Sequence, residues 1–98
     1  MTAYLIAEAK VGDPIAYETY KALAEAAISR HGGRYLARGG QTLILEGRWS
    51  PPERLVIVEF DSLAQIEAFY DSPEYHAARA ARRDAAEMSI LAVAGLTL

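Results

Sequence analysis

The sequence contains no cysteine and a single tryptophan, and charged residues make up only 23% of it. Without cysteine, disulfide bonds, thiolate metal sites and cysteine nucleophiles are excluded. The net charge of −3 has the wrong sign for a nucleic-acid-binding surface, which needs an excess of basic residues. No uncharged stretch approaches the ~20 residues that a membrane-spanning helix requires. We therefore expect a protein that binds neither nucleic acid nor a membrane.

Apolar residues account for 52% of the 98 positions, which excludes a disordered tail. A chain of this length typically forms one domain, so residues 1–98 are expected to fold as a single unit. Such a small domain buries only about 60–65% of the surface of its unfolded chain. A partner subunit would therefore add useful burial.

Strand-like and helix-like patterns alternate along the chain. The predicted strands are 3–11, 34–46, 54–60 and 88–94, and the predicted helices are 13–31 and 62–86, the second broken at Ser72-Pro73. Gly39-Gly40 indicates a bulge or tight bend, and 47–53 is a proline-containing loop. The order β-α-β-β-α-β is typical of the ferredoxin-like α+β fold, with a four-stranded antiparallel-type sheet and both helical segments on one face. Right-handed crossovers would place the first and third strands at its centre.

The two central strands of this sheet are apolar on both faces. One face, with small or β-branched residues, suits helix packing: Ala3, Leu5, Ala7, Ala9, Val56, Val58 and Phe60. The other is expected to carry Tyr4, Ile6, Leu55 and Ile57, with Leu43, Leu45, Ile90 and Ala92 joining from the flanking strands. An apolar face of that size is rarely left exposed by a monomer. We predict a homodimer with its two sheets packed face to face.

Short motifs support this interpretation. In order they are Asp13-Pro14, Gly32-Gly33-Arg34-Tyr35-Leu36, Arg38-Gly39-Gly40, Leu45-Glu46-Gly47, Val58-Glu59-Phe60 and Ser72-Pro73-Glu74-Tyr75. Together they resemble the small bacterial domain-of-unknown-function family numbered thirteen-thirty, of the dimeric α+β barrel superfamily. The resemblance implies a ferredoxin-like subunit in a dimeric barrel, in a bacterial cytoplasmic protein, and implies no activity. The wider superfamily includes cofactor-independent monooxygenases, muconolactone isomerase and haem-degrading enzymes, but kinship of fold is a weak argument for function.

Two carboxylates are candidate catalytic groups. Glu8 and Glu59 are expected late on neighbouring parallel strands and, by the alternation, on the same inner face, where a shared, partly dry cavity would make one of them a general base. His76 could assist. The alternative is that both carboxylates are solvated or paired with arginine.

Candidate ligand-binding residues are basic or aromatic. Arg38 precedes a glycine pair whose N–H groups could hold an anion, although a glycine bulge is the simpler interpretation. Arg79 lies three residues after His76 on one helical edge and could hold a carboxylate, or could only pair on the surface. The two histidines lack metal-ligand spacing, so neither a metal nor a cofactor is expected.

Aromatic side chains could line a pocket for a flat molecule. The candidates are Tyr4, Tyr17, Tyr20, Tyr35, Trp49, Phe69, Tyr70 and Tyr75. At helical spacing, Tyr17, Tyr20, Phe69 and Tyr70 favour packing in the core or at the dimer rim, and Trp49 could be a lid or an arm that reaches the other subunit. Three functions stay open: a dimer that binds a small aromatic or carboxylated molecule, an enzyme of the cofactor-independent monooxygenase or isomerase kind, and a dimer whose assembly is its role. Whether the protein is an enzyme is left undecided.

Overall fold

The computed structural model describes residues 2–96, which form one four-stranded sheet and three helices. The elements are β1 (Ala3–Val11), α1 (Pro14–Arg30), β2 (Arg34–Arg38), β3 (Arg54–Phe60), α2 (Leu63–Tyr70), α3 (Pro73–Ala81) and β4 (Ala86–Ala94). The strand order is β2-β3-β1-β4, and every neighbouring pair is antiparallel. This is the ferredoxin-like α+β fold that the sequence predicts, with β1 and β3 at the centre. None of the described helices has the length and apolar character to cross a membrane.

Helix α1 begins and ends where its capping residues place it. The Asp13 side chain accepts hydrogen bonds from the backbone N–H groups of Ile15 and Ala16, and Pro14 occupies the first turn. After Arg30 the chain leaves the helix through Gly32, whose φ of 78° lies in the left-handed region. This end was predicted from the glycine pair.

The second helical region is divided between α2 and α3. Ser62 caps α2 by accepting the N–H of Gln65, and Ser72 caps α3 by accepting the N–H of Tyr75. Helix α3 ends at Ala81, five residues before the predicted position 86. The helix cannot extend to that position, because Ala86 is the first residue of β4 and pairs there with Val11 of β1.

The hydrophobic core lies between the helices and one face of the sheet. Strand residues of the predicted helix-side set are buried, including Leu5, Ala7, Val58 and Phe60, so the predicted alternation is confirmed. The buried residues of α1 are Tyr17, Tyr20, Ala24, Ala27 and Ile28. The spacing of Ala16, Tyr20, Leu23 and Ala27 predicts one buried face, and the structure buries Tyr20 and Ala27 but leaves Leu23 exposed.

The strand predicted over 34–46 is shorter in the structure. It ends at Arg38, and residues 39–53 form no strand, which leaves Leu43 and Leu45 80% and 86% exposed. The bulge falls at Leu36, between Tyr35 and Ala37, rather than at the glycine pair. Gly39, with a φ of 73°, turns the chain out of the sheet, so no strand within the described residues pairs with 39–53.

The outward side of β4 also differs from the prediction. The register pairs Ile90 with Ala7 and Leu91 with Ile6, so Ile90 and Ala92 point toward the helices. Leu91 and Val93 occupy the opposite side instead. We call this side of the sheet the open face; its apolar members are Tyr4, Ile6, Leu55, Ile57, Leu91 and Val93.

Candidate functional site

A cavity of about 40 Å³ lies between the helical layer and the sheet. We call it the tyrosine cleft, because four of its lining residues are tyrosines: Tyr17, Tyr20, Tyr35 and Tyr75. Ala24 of α1 and Ala7 of β1 also line it, and their small side chains leave space between the two layers. Leu5, Val56, Val58, Phe69 and Ile90 complete an apolar wall. The site therefore has aromatic walls and an apolar base.

Two tyrosine hydroxyls meet in the interior of the protein. Tyr20 Oη and Tyr75 Oη lie 2.8 Å apart in a buried hydrogen bond that links α1 to α3. Burial raises the pKa of Tyr20 above the ordinary range for tyrosine, and the neighbouring Tyr75 adds to the increase. The Tyr20 phenol therefore stays protonated and acts as a neutral donor or acceptor.

The rings form a continuous aromatic cluster. The ring of Tyr17 lies 5.2 Å from that of Tyr20, and the ring of Phe69 lies 4.5 Å from that of Tyr75. Phe60 of β3 extends the cluster to the sheet, with its ring 5.3 Å from that of Phe69. Separations of this size are typical of favourable aromatic pairs, so the cleft wall is well packed.

Three cationic side chains also line the tyrosine cleft: Lys21, Arg38 and Arg54. Lys21 Nζ lies 2.7 Å from Glu18 Oε1, and Arg38 Nη1 lies 3.1 Å from Glu25 Oε1. The guanidinium of Arg38 also stacks over the ring of Tyr35, at 4.5 Å from its centroid. Arg54 has no such carboxylate partner among residues 2–96.

Of the residues predicted from the sequence, the structure brings Arg38 and Tyr75 together at this cleft. Tyr4 lies on the open face of the sheet, on the side away from it. His76 and Arg79 lie beside each other on α3, with Arg79 Nη2 3.2 Å from His76 Nε2, and neither lines the cleft. Trp49 is 70% exposed in the 39–53 segment.

The prediction that Glu8 and Glu59 share one cavity is wrong, although both lie on one face of the sheet as predicted. Strands β1 and β3 are antiparallel, so Glu8 lies opposite Leu55 while Glu59 lies opposite Tyr4. The two glutamates share the open face but are four residues apart along it, which is about 13 Å at about 3.3 Å per residue. Glu59 is instead bonded to Arg34, whose Nη2 lies 2.8 Å from Glu59 Oε1. This is the arginine pairing that the sequence analysis had left open.

Arg54 was not among the predicted site residues, and Tyr17, Tyr20 and Tyr35 belonged only to the wider set of aromatics that could line a pocket. The sequence pattern could have identified Arg54, because strand alternation places it on the same side as Val56 and Val58, which were assigned to the helix side. Tyr17 and Tyr20 were assigned to packing, which is also what they do. Nothing local indicates that packing tyrosines enclose a cavity. Across residues 2–96, no three histidine, aspartate or glutamate side chains come close enough to hold a metal ion.

The strand order, the helices on one face and the cleft between the two layers define a ferredoxin-like α+β protein. Residues 2–96 match the model of the domain of unknown function DUF1330, and the chain belongs to this family. By sequence, no curated protein matches it.

Solved structures share the fold. A protein of unknown function from Rhodopseudomonas palustris superposes with a TM-score of 0.74 at 20% identity, over 99% of this chain and 84% of the other. SnoaB, a cofactor-independent oxygenase from Streptomyces nogalater, gives 0.68 at 14% identity, over 99% and 95%. A dimeric ferredoxin-like protein of unknown function from Thermobifida fusca gives 0.66 at 19% identity, over 96% and 91%. At these identities the likeness concerns the fold alone.

Proposed function

We propose that this protein is a cytoplasmic homodimer that binds a small organic molecule, aromatic or carboxylated, in the tyrosine cleft. The observation that carries the proposal is the cleft itself, in which four tyrosine rings and three cationic side chains converge on one cavity. Sites for small molecules typically combine apolar and aromatic walls with a few placed polar groups. The cleft has this composition.

The size of the cavity limits how a ligand would enter. Its volume of about 40 Å³ exceeds the roughly 10–15 Å³ that one water molecule requires, and is too small for a complete aromatic ring with substituents. Lys21 and Arg38 retain 27% and 33% of their side-chain exposure, so they can move without breaking the core. A ligand would therefore displace these flexible side chains and leave the tyrosine cluster in place.

A thermal-shift screen of aromatic acids and neutral aromatic molecules tests ligand binding. A ligand specific for the folded protein raises the unfolding midpoint. Ala24→Leu fills the cleft and should abolish the shift produced by any hit, relative to the midpoint of the unliganded variant. Ala26→Leu adds the same side chain at an exposed position of α1 and should keep it. A hit whose shift survives Ala24→Leu would place binding elsewhere, and a screen without hits would favour the assembly-only hypothesis.

The homodimer part of the proposal rests on the open face. A continuous apolar row crosses all four strands there, from Ala37 through Ile57 and Ile6 to Leu91. Leu91 is 59% exposed, and all three helices pack on the other side of the sheet. A second copy of the same face would bury this row, as two-fold dimers commonly do.

Sedimentation measurements test the dimer. Ile57→Glu introduces a charge at the centre of the apolar row and should produce monomers, whereas Ala68→Glu, at an exposed position of α2, should leave the dimer intact. A wild-type protein that sediments as a monomer would contradict this part of the proposal.

The enzyme hypothesis receives less support. Its proposed base, Glu8 or Glu59, lies on the open face, and His76 lies outside the cleft. A base acting on a ligand in the cleft would have to come from other residues, so we propose binding and not catalysis.

A further inference from the structure

Arg54 differs from the other cations of the tyrosine cleft in having no counter-charge. Lys21 and Arg38 each form an ion pair with a glutamate of α1, whereas no carboxylate of residues 2–96 lies within ion-pair distance of Arg54. The Nε atom of Arg54 is also shielded from solvent without a hydrogen-bond partner among these residues. A shielded guanidinium N–H without an acceptor is unfavourable unless something binds to it.

The position of Arg54 is built into the fold. Arg54 is the first residue of β3 and lies on the same side of the strand as Val56, so it points toward the helices. Its guanidinium carbon lies 5.9 Å from the centroid of the Tyr17 ring. The backbone of Gly39 approaches it so closely that a Cβ at Gly39 would lie 2.5 Å from Arg54 Nη1. The side chain is therefore held against the cleft by an aromatic ring and a glycine turn.

Other unpaired arginines do not offer the same environment. Arg79 and Arg82 also lack carboxylate partners in the described part of the chain, and their Nε atoms are likewise shielded without a hydrogen-bond partner there. They stack over Tyr70 and Tyr20, however, and neither lines the cleft. Tyr17 and Tyr35 line it together with Arg54, and a tyrosine hydroxyl can donate to an anion that the guanidinium holds. Tyr20 and Tyr75 are already bonded to each other.

From this arrangement we infer that the ligand of the tyrosine cleft is an aromatic carboxylate, whose carboxyl group binds to Arg54 and whose ring packs against the tyrosines. The inference rests on the proposed function and narrows its ligand class. A guanidinium suits a carboxylate because two parallel N–H donors match its two oxygens. The aromatic walls favour an organic anion over inorganic phosphate, which would gain nothing from them.

Calorimetric titration with benzoate, its neutral isostere benzamide and inorganic phosphate tests the inference. The wild-type protein should bind benzoate at least about tenfold more tightly than either of the other two, since a charge-assisted pair contributes more than a neutral contact. Arg54→Gln should remove this preference, and Arg54→Lys should restore part of it. Arg83→Gln, which removes an exposed arginine outside the cleft, should leave it unchanged. The midpoint of each unliganded variant shows whether the fold is retained.

Each outcome is decisive. Equal binding of benzoate and benzamide would overturn the inference while leaving small-molecule binding in place. Equal binding of benzoate and phosphate would reduce the site to a simple anion site and would also overturn it. Failure of the wild type to bind benzoate would overturn it too, and the Ala24→Leu screen would then decide separately whether the cleft binds any molecule.

Discussion

The hydroxyl groups of Tyr20 and Tyr75 form a buried hydrogen bond of 2.8 Å between α1 and α3. The two residues are 2–6% exposed, so neither hydroxyl has an equivalent partner in water. The bond therefore ties together two helices that the chain separates by the whole of β2, β3 and α2. Both residues also line the tyrosine cleft.

Removing either hydroxyl should destabilise the protein by about 1–2 kcal/mol, because the remaining one is left buried without its partner. We expect this for Tyr20→Phe and Tyr75→Phe in urea unfolding. The double variant should cost less than the sum of the two, since the second substitution removes the unsatisfied group. Tyr70→Phe, which removes a hydroxyl outside this pair, serves as the control. Strictly additive losses would show that the two hydroxyls act independently.

The turn at Gly39 should be sensitive to a side chain. Gly39 has a φ of 73°, and a Cβ there would meet Arg54. Gly39→Ala should cost the roughly 1–2 kcal/mol expected for a left-handed conformation, and the end of the flexible Arg54 side chain should move aside from the added Cβ at little further cost. Gly47→Ala has the conformational cost without the contact, and Gly40→Ala has neither, with no atom of residues 2–96 within 4 Å of its added Cβ. Thermal unfolding should show similar losses for the first two variants and a much smaller loss for Gly40→Ala, and equal midpoints for all three would contradict the left-handed turns.

Phe69 is a central residue of the aromatic cluster and is 1% exposed. Phe69→Ala should cost about 3–5 kcal/mol, because it removes a large buried side chain and leaves a cavity between α2 and the sheet. Leu63→Ala, at a 41% exposed position of the same helix, should cost far less. Chemical denaturation of both variants measures the difference. A small loss for Phe69→Ala would mean that the neighbouring rings collapse into the space.

Glu74, in the first turn of α3, should make the free energy of unfolding depend on pH in the acid range. A hydrogen bond from its own backbone N–H lowers the pKa of the Glu74 carboxyl, and nearby Arg30 and His31 act in the same direction. A lowered pKa in the folded state means that this stabilisation is present above the ordinary glutamate pKa of about 4.3 and is lost as the pH falls through the folded value. Glu74→Gln should therefore be less stable than the wild type near neutral pH.

That difference should close in acid, where the wild-type carboxyl is also uncharged. Urea unfolding of both proteins at neutral pH and below the glutamate range measures it. Glu67→Gln, at an exposed position of α2, should show no comparable change with pH. A stability difference between the wild type and Glu74→Gln that stays constant across this range would rule out the ionised carboxyl as its source.

Most of the fold could be predicted because its determinants are local. Asp13-Pro14 and Ser72-Pro73 mark helix starts through hydrogen bonds within a few residues, and the structure places α1 and α3 directly after them. The alternation of Val56, Val58 and Phe60 assigned the buried face of β3 correctly.

The errors concern features that depend on distant partners. The 39–53 segment has strand-like residues at 42–46, but a strand requires a neighbour and none of the described residues supplies one. The facing of Ile90 and Leu91 depends on the register with β1, which an apolar run such as Ile90–Val93 does not define. The direction of β1 relative to β3 is also a matter of long-range pairing, and their antiparallel arrangement separates Glu8 from Glu59 along the sheet.

The sequence by itself determined the order of the elements, the helix caps and the buried side of the central strands, because periodicity and capping act over a few neighbouring residues. Only the tertiary structure decided which side chains meet at the cleft. Tyr17, Arg38, Arg54 and Tyr75 come from four different elements or their ends, and packing of α1 and α3 on the sheet brings them together. The tertiary structure also decided that no carboxylate of residues 2–96 pairs with Arg54, since ion pairing depends on distances in space that no local pattern encodes.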